Sequence, residues 1–250
     1  MKNYLAILFL LIAGTVMGQQ TIESMMAEAR KYEFAFKEKE ALEKYKEVLL
    51  KNANEQEALT SASYLYSKVG ERSTEKTLRL DYFNKAAALA QKAIKQNNKD
   101  PEAHYAYAVA LGRLSLMASS EEKLKNAKLI QTEAEKTLSL DAKHAGANYI
   151  LGRLNSEISN MSTLKVMAAK ALFGGIPEGC TFEKATSYFN KAMEYKPNYI
   201  LYYLDAAQNF VYMGKKAEAK LLLIKAIELP MSTPDDPYRV QDCKRLLEKL

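Results

Sequence analysis

The 250-residue chain has no tryptophan, two cysteines, two histidines, six prolines and ten glycines. Cys180 and Cys243 stand 63 positions apart and form no CxxC pair. Neither His104 nor His144 lies beside a carboxylate pair at ligand spacing. No metal site is therefore expected. GxSxG, HExxH, a phosphate loop and a Ser/His/Asp order are all missing, which removes the common enzyme classes. Neither a catalytic residue nor a cofactor is expected. The paired acids Glu121-Glu122 and Asp235-Asp236 suit helix starts, where negative charge meets the positive end of the helix dipole. No stretch alternates apolar and polar residues for long enough to make a sheet. Scarce proline and glycine, with abundant Ala, Leu, Lys and Glu, predict a mostly helical protein.

The net charge is +6. Its lysines are interleaved with glutamates, as in Lys37-Glu38-Lys39-Glu40. A solvated mixed-charge surface accounts for that pattern, and no nucleic-acid partner is expected. Weak attraction to an anionic membrane surface remains open.

The N-terminus predicts export. Lys2 precedes the apolar run Leu5–Ala13, and Val16 and Gly18 stand at −3 and −1 to a cut before Gln19. The run is shorter than the roughly 20 residues that span a bilayer. No cysteine follows it, which argues against a lipid anchor. An apolar first helix of the fold is the alternative. Residues 1–18 are expected to be a signal peptide and residues 19–250 a soluble domain of the periplasm or cell envelope.

Along that domain a small–large–small triplet recurs at spacings of four and three. It reads Ala41–Tyr45–Val48, Ala86–Ala90–Ala93, Ile130–Ala134–Thr137, Ala185–Phe189–Ala192 and Ala219–Leu223–Ala226. Those spacings place each triplet on one helix face. The small residues let a neighbouring helix approach. Before each triplet lies a second helical pattern: Ala29/Tyr32, Ser63/Tyr66, Ala108/Leu111, Gly152/Asn155 and Ala207/Phe210. Five A–B helix pairs make a tetratricopeptide-like array. The expected fold is all-α, a right-handed α-solenoid of helix pairs. Pro237–Leu250 is expected to form a capping helix.

The last triplet members are 45, 44, 55 and 34 apart. The excess falls between helices A and B, predicting long helices in units two and three and an extra element in unit four. A plain bundle would also need periodic apolar faces. The internal match of Leu111-Gly112-Arg113-Leu114 with Leu151-Gly152-Arg153-Leu154 favours repeats, but aligning it shifts unit three by one helical turn against the triplets.

The stretch Pro101–Leu250, about three fifths of the chain, resembles the regulator of microtubule dynamics family. The likeness rests on His104–Ala108, Tyr149–Leu154, Ala168–Gly174, Pro177 with Thr181–Ala185, and Phe189–Pro197. Leu154 stands where that family usually has an aromatic. The resemblance implies a helical-repeat domain without a catalytic centre. Its animal members are associated with microtubules and organelle contacts, and one branch with phospholipid. An exported chain would meet no microtubules.

In the repeat frame the concave face gathers Arg30, Tyr64, Tyr105, Arg113, Tyr149, Arg153, Gln208 and Tyr212. Arginine forks bind carboxylates and tyrosines add apolar area with a polar tip, which suits a protein or peptide partner. The alternative is inter-helix packing and surface ion pairs. In the unit-four insertion, Leu164, Met167, Ala168, Ala171 and Leu172 share a stripe that continues into Phe173. That stripe would cover a pocket for an acyl chain or phospholipid, or pack on the solenoid. Unit five separates Cys180 from Cys243, so the two thiols are expected to stay unpaired.

Overall fold

The structure is a computed structural model and describes residues 21–250. The expected signal peptide lies outside the described residues. Within them the chain forms twelve helices. The five pairs are α1 (Ile22–Phe34) with α2 (Glu38–Lys51), α3 (Gln56–Glu71) with α4 (Lys76–Gln96), α5 (Pro101–Ser115) with α6 (Ser120–Leu140), α7 (Ala145–Ser159) with α9 (Phe182–Tyr195), and α10 (Ile200–Tyr212) with α11 (Lys216–Glu228). The insertion is α8 (Thr163–Phe173), which touches α6. The terminal helix α12 (Asp236–Glu248) packs on α10 and α11. This is a helical solenoid with a C-terminal cap.

All fifteen triplet residues are buried. Their alanines are small enough to let neighbouring helices approach closely. The large middle members Tyr45, Phe189 and Leu223 fill the grooves so created. The long B helices of units two and three are α4 and α6, each 21 residues. Six helix starts carry a side-chain acceptor. Ser119 and Glu122 form a capping box at α6, and Asp100 caps α5 ahead of Pro101. The B helices of the first three units end alike. Asn52, Asn97 and Asp141 each accept, through Oδ1, the N–H two residues on, at 3.1, 3.1 and 3.0 Å. These side-chain turns make the same corner three times.

The triplet frame gives the correct register, and the Leu-Gly-Arg-Leu match does not. Gly152 lies under Phe189, where an added Cβ would stand 2.8 Å from the ring Cδ1. Gly112 has nothing within 4 Å of that position. Ala108, not Gly112, is the counterpart of Gly152. Arg113 and Arg153 therefore sit one helical turn out of step.

The ends of the stack meet. Arg72, at the C-terminal end of α3, holds Asp235, at the start of α12, with two hydrogen bonds of 3.0 and 2.9 Å. Arg72 also pairs with Glu38, which Lys68 binds as well. The concave face lines a cavity that residues Asp235, Tyr238 and Arg239 at the start of α12 also border.

Candidate functional site

The A helices line a cavity of about 1600 Å³. Small-molecule pockets run to roughly 300–1,000 Å³. One end is aromatic. The Tyr64 and Tyr105 ring centroids are 5.9 Å apart, and Tyr105 lies 4.5 Å from His144. Tyr105 also covers Gly146, where a Cβ would come within 2.6 Å of the ring. In the same aromatic end Tyr149 stacks on Tyr202 at 4.8 Å, and Tyr202 meets Tyr199 at 4.7 Å. Burial raises the Tyr64, Tyr105 and Tyr149 phenol pKa values well above normal. All three stay neutral and present hydroxyls, not anions.

Charge enters this wall as pairs. Arg113 binds Glu71. Arg153 lies 3.4 Å from Asp205, which accepts the Tyr149 hydroxyl at 2.7 Å. The Arg153 guanidinium also donates to that hydroxyl at 3.4 Å. Lys196 stands 4.5 Å over the Tyr199 ring. Burial, with the charges of Lys68 and Arg239, lowers its pKa. The opposite end is aliphatic, formed by Leu116, Leu124, Ile130, Leu154, Ile158 and Met161 with Ala168, Ala169 and Leu172 of α8.

The cavity brings together Tyr64, Tyr105, Arg113, Tyr149 and Arg153 of the eight residues expected on the concave face. Arg30 pairs with Glu57 and lines a smaller adjoining cleft of about 360 Å³. Gln208 and Tyr212 line neither space. They lie towards the C-terminal end of α10, whereas its N-terminal turn with Tyr199 and Tyr202 faces the cavity. Tyr212 packs 6.4 Å from Phe182 instead. The α8 stripe is turned differently from a lid. Leu164, Met167, Ala168, Ala171 and Leu172 are exposed, and only Ala168 and Leu172 of these reach the cavity edge. The Phe173 side chain lies outside the described residues.

Sequence reading missed Tyr199, Tyr202, Asp205, Lys196, Arg72 and Asp235. The cluster Tyr199–Tyr203 was a usable signal for the first two. Lys196, Arg72 and Asp235 line the cavity where the cap comes back to the second helix pair, and Asp205 lies behind it on Arg153. Among the described residues no group of three or more His, Cys, Asp or Glu side chains could hold a metal. Both cysteines are free, Cys243 buried and Cys180 half-buried. No described helix is long and apolar enough to cross a membrane.

The family model for regulator of microtubule dynamics protein 1-3 matches residues 25–250. The chain belongs to this family. The match extends the likeness seen from Pro101 onward through all five helix pairs. Regulator of microtubule dynamics protein 3 of Bos taurus is 27% identical over 198 residues, covering 79% of this chain and 42% of the relative. Protein 1 of Pongo abelii is 28% identical over 190 residues, covering 76% and 60%. The chain thus spans about two fifths to three fifths of these relatives' length. Among solved structures, a thermophilic TPR protein of Thermus thermophilus superposes with a TM-score of 0.66 at 15% identity, covering 90% of this chain and all of that one. The MamA protein gives 0.50 at 19% identity, covering 84% and 91%. These likenesses show the helical-repeat fold.

Proposed function

We propose that this chain is an exported binding protein that takes an extended segment of a protein partner into its concave cavity. The observation that carries the reading is the cavity wall itself, where the rings of Tyr64, Tyr105, Tyr149, Tyr199 and Tyr202 face one space with Glu71, Arg113 and Arg153. Tyrosines give a peptide large contact area at low entropic cost. Glu71 and Asp205 occupy the guanidinium forks in the free protein. A partner carboxylate would exchange with them, so binding would trade one ion pair for another and gain mainly from burial. Export rests on Lys2, Leu5–Ala13 and the Val16/Gly18 pattern. N-terminal sequencing of envelope protein beginning at Gln19 would support it, and a mature chain retaining Met1 would remove it.

The aliphatic end supports a second reading, an apolar or phospholipid ligand held beside α8. Two variants separate the readings. Arg113→Ala with Arg153→Ala should weaken capture of a protein partner from envelope extract. Ile158→Glu should spare that capture and abolish any co-purifying lipid detected by mass spectrometry. Loss of lipid alone would move the second reading ahead.

A further inference from the structure

Helix α8 leaves most of its apolar side exposed. Leu164 is 77% exposed, Met167 64% and Leu172 71%. At about 100° per residue, these three with Ala168 and Ala171 fall in one arc. Lys165 and Lys170 border that arc on either side. Val166 and Ala169, which are half-buried and buried, lie opposite. The helix is fixed to the solenoid by its back, through α6, and Lys128 Nζ donates to the Gly174 carbonyl at 3.0 Å. Gly174 ends α8 in the left-handed conformation at φ 69°. Leu164, Met167 and Ala171 line no cavity, whereas Ala168 and Leu172 also edge the large one.

We infer that α8 docks on an anionic membrane surface, with Leu164, Met167 and Leu172 entering the interface and Lys165 and Lys170 meeting lipid phosphates. Charge complementarity selects this occupant. The helix carries two lysines and no acidic residue. Lysines flanking an apolar arc can lay their stems along the acyl boundary and keep their ammonium groups among headgroups. A second copy of α8 would bring the same positive borders together, which repels. Leu164, Met167 and Lys170 lie outside the cavity lining, so their part in the inference does not depend on what the cavity holds.

The absence of tryptophan makes the test specific to α8. In the full chain, Leu164→Trp places a single indole fluorophore on the arc. Phosphatidylglycerol vesicles should shift its emission to the blue, and phosphatidylcholine vesicles should not. Adding Lys165→Ala and Lys170→Ala should weaken binding roughly thirtyfold, since each lysine near an anionic surface contributes a factor of about five. Adding Met167→Glu should abolish the shift. Circular-dichroism melting should stay unchanged, because the altered side chains are exposed. Emission that stays red with phosphatidylglycerol, or a blue shift that grows with protein concentration without lipid, would overturn the inference.

Discussion

Arg72 and Asp235 are 163 positions apart and joined by a bidentate ion pair. It ties the second helix pair to the capping helix. Behind it Glu38 is only 4% exposed and takes both Lys68 and Arg72. Fork geometry of this kind is directional as well as attractive. The pair itself is partly exposed, so its worth is modest and falls with salt. Asp235→Ala should cost about 1 kcal/mol or less in global stability and widen the cavity. Small-angle scattering should show a larger radius of gyration for the variant, matched by the wild type in high salt. An unchanged radius would mean that packing alone closes the stack.

The clasp should also respond to acid. Burial opposes ionisation of Asp235, and Arg72 and Arg239 outweigh it, so its pKa is depressed. Asp236 is likewise depressed: hydrogen bonds from Thr233, Ser232 and Arg239 outweigh its burial. A depressed carboxylate adds stability above the ordinary aspartate pKa of about 4 and loses it as pH falls through the folded value. Stability from these two groups should be flat from neutral pH down to that range and decline below it. Asp236→Asn should flatten the acid limb of a denaturation series.

Two glycines test the register. Gly152→Ala drives a Cβ against Phe189 and should cost about 1–3 kcal/mol. Gly112→Ala meets open space and should stabilise α5 by about 0.5–1 kcal/mol. Thermal melts that reversed this order would restore the Leu-Gly-Arg-Leu alignment.

Removing Arg113 and Arg153 together leaves Glu71 and Asp205 in place, both with some solvent access. Partner capture should fall by tenfold or more, or about 1.4 kcal/mol, while far-ultraviolet circular dichroism holds. Collapse of the fold with capture intact would make both arginines structural.

The thiols should differ in reactivity. Burial pushes Cys243 up to about 11, and Cys180 is raised less by the same cause. Only the thiolate attacks. Alkylation of the native protein should modify Cys180 first, with Cys243 reacting on unfolding. Mass spectrometry should count two free thiols, and an intramolecular bridge would contradict this.

The five helix pairs, the long α4 and α6, the unit-four insertion and the α12 cap were all legible in the residue spacing. Small residues at i, i+4 and i+7 serve close helix contact and little else, so Ala86–Ala90–Ala93 declares its buried face without a partner in view. The acidic helix start at Glu121-Glu122 was local too, while the Ser119 cap beside it was not read. The site was half legible: Tyr64, Tyr105, Arg113, Tyr149 and Arg153 followed from the A-helix face. Curvature was not, because it sums small rotations between pairs that no single residue announces. That sum carries Asp235 to Arg72 and Tyr199 to the cavity, and leaves Gln208 and Tyr212 outside. The carboxylates of Arg113 and Arg153 come from the neighbouring A helices α3 and α10. The α8 stripe was visible in sequence, but its direction was decided by which side of the helix α6 could hold.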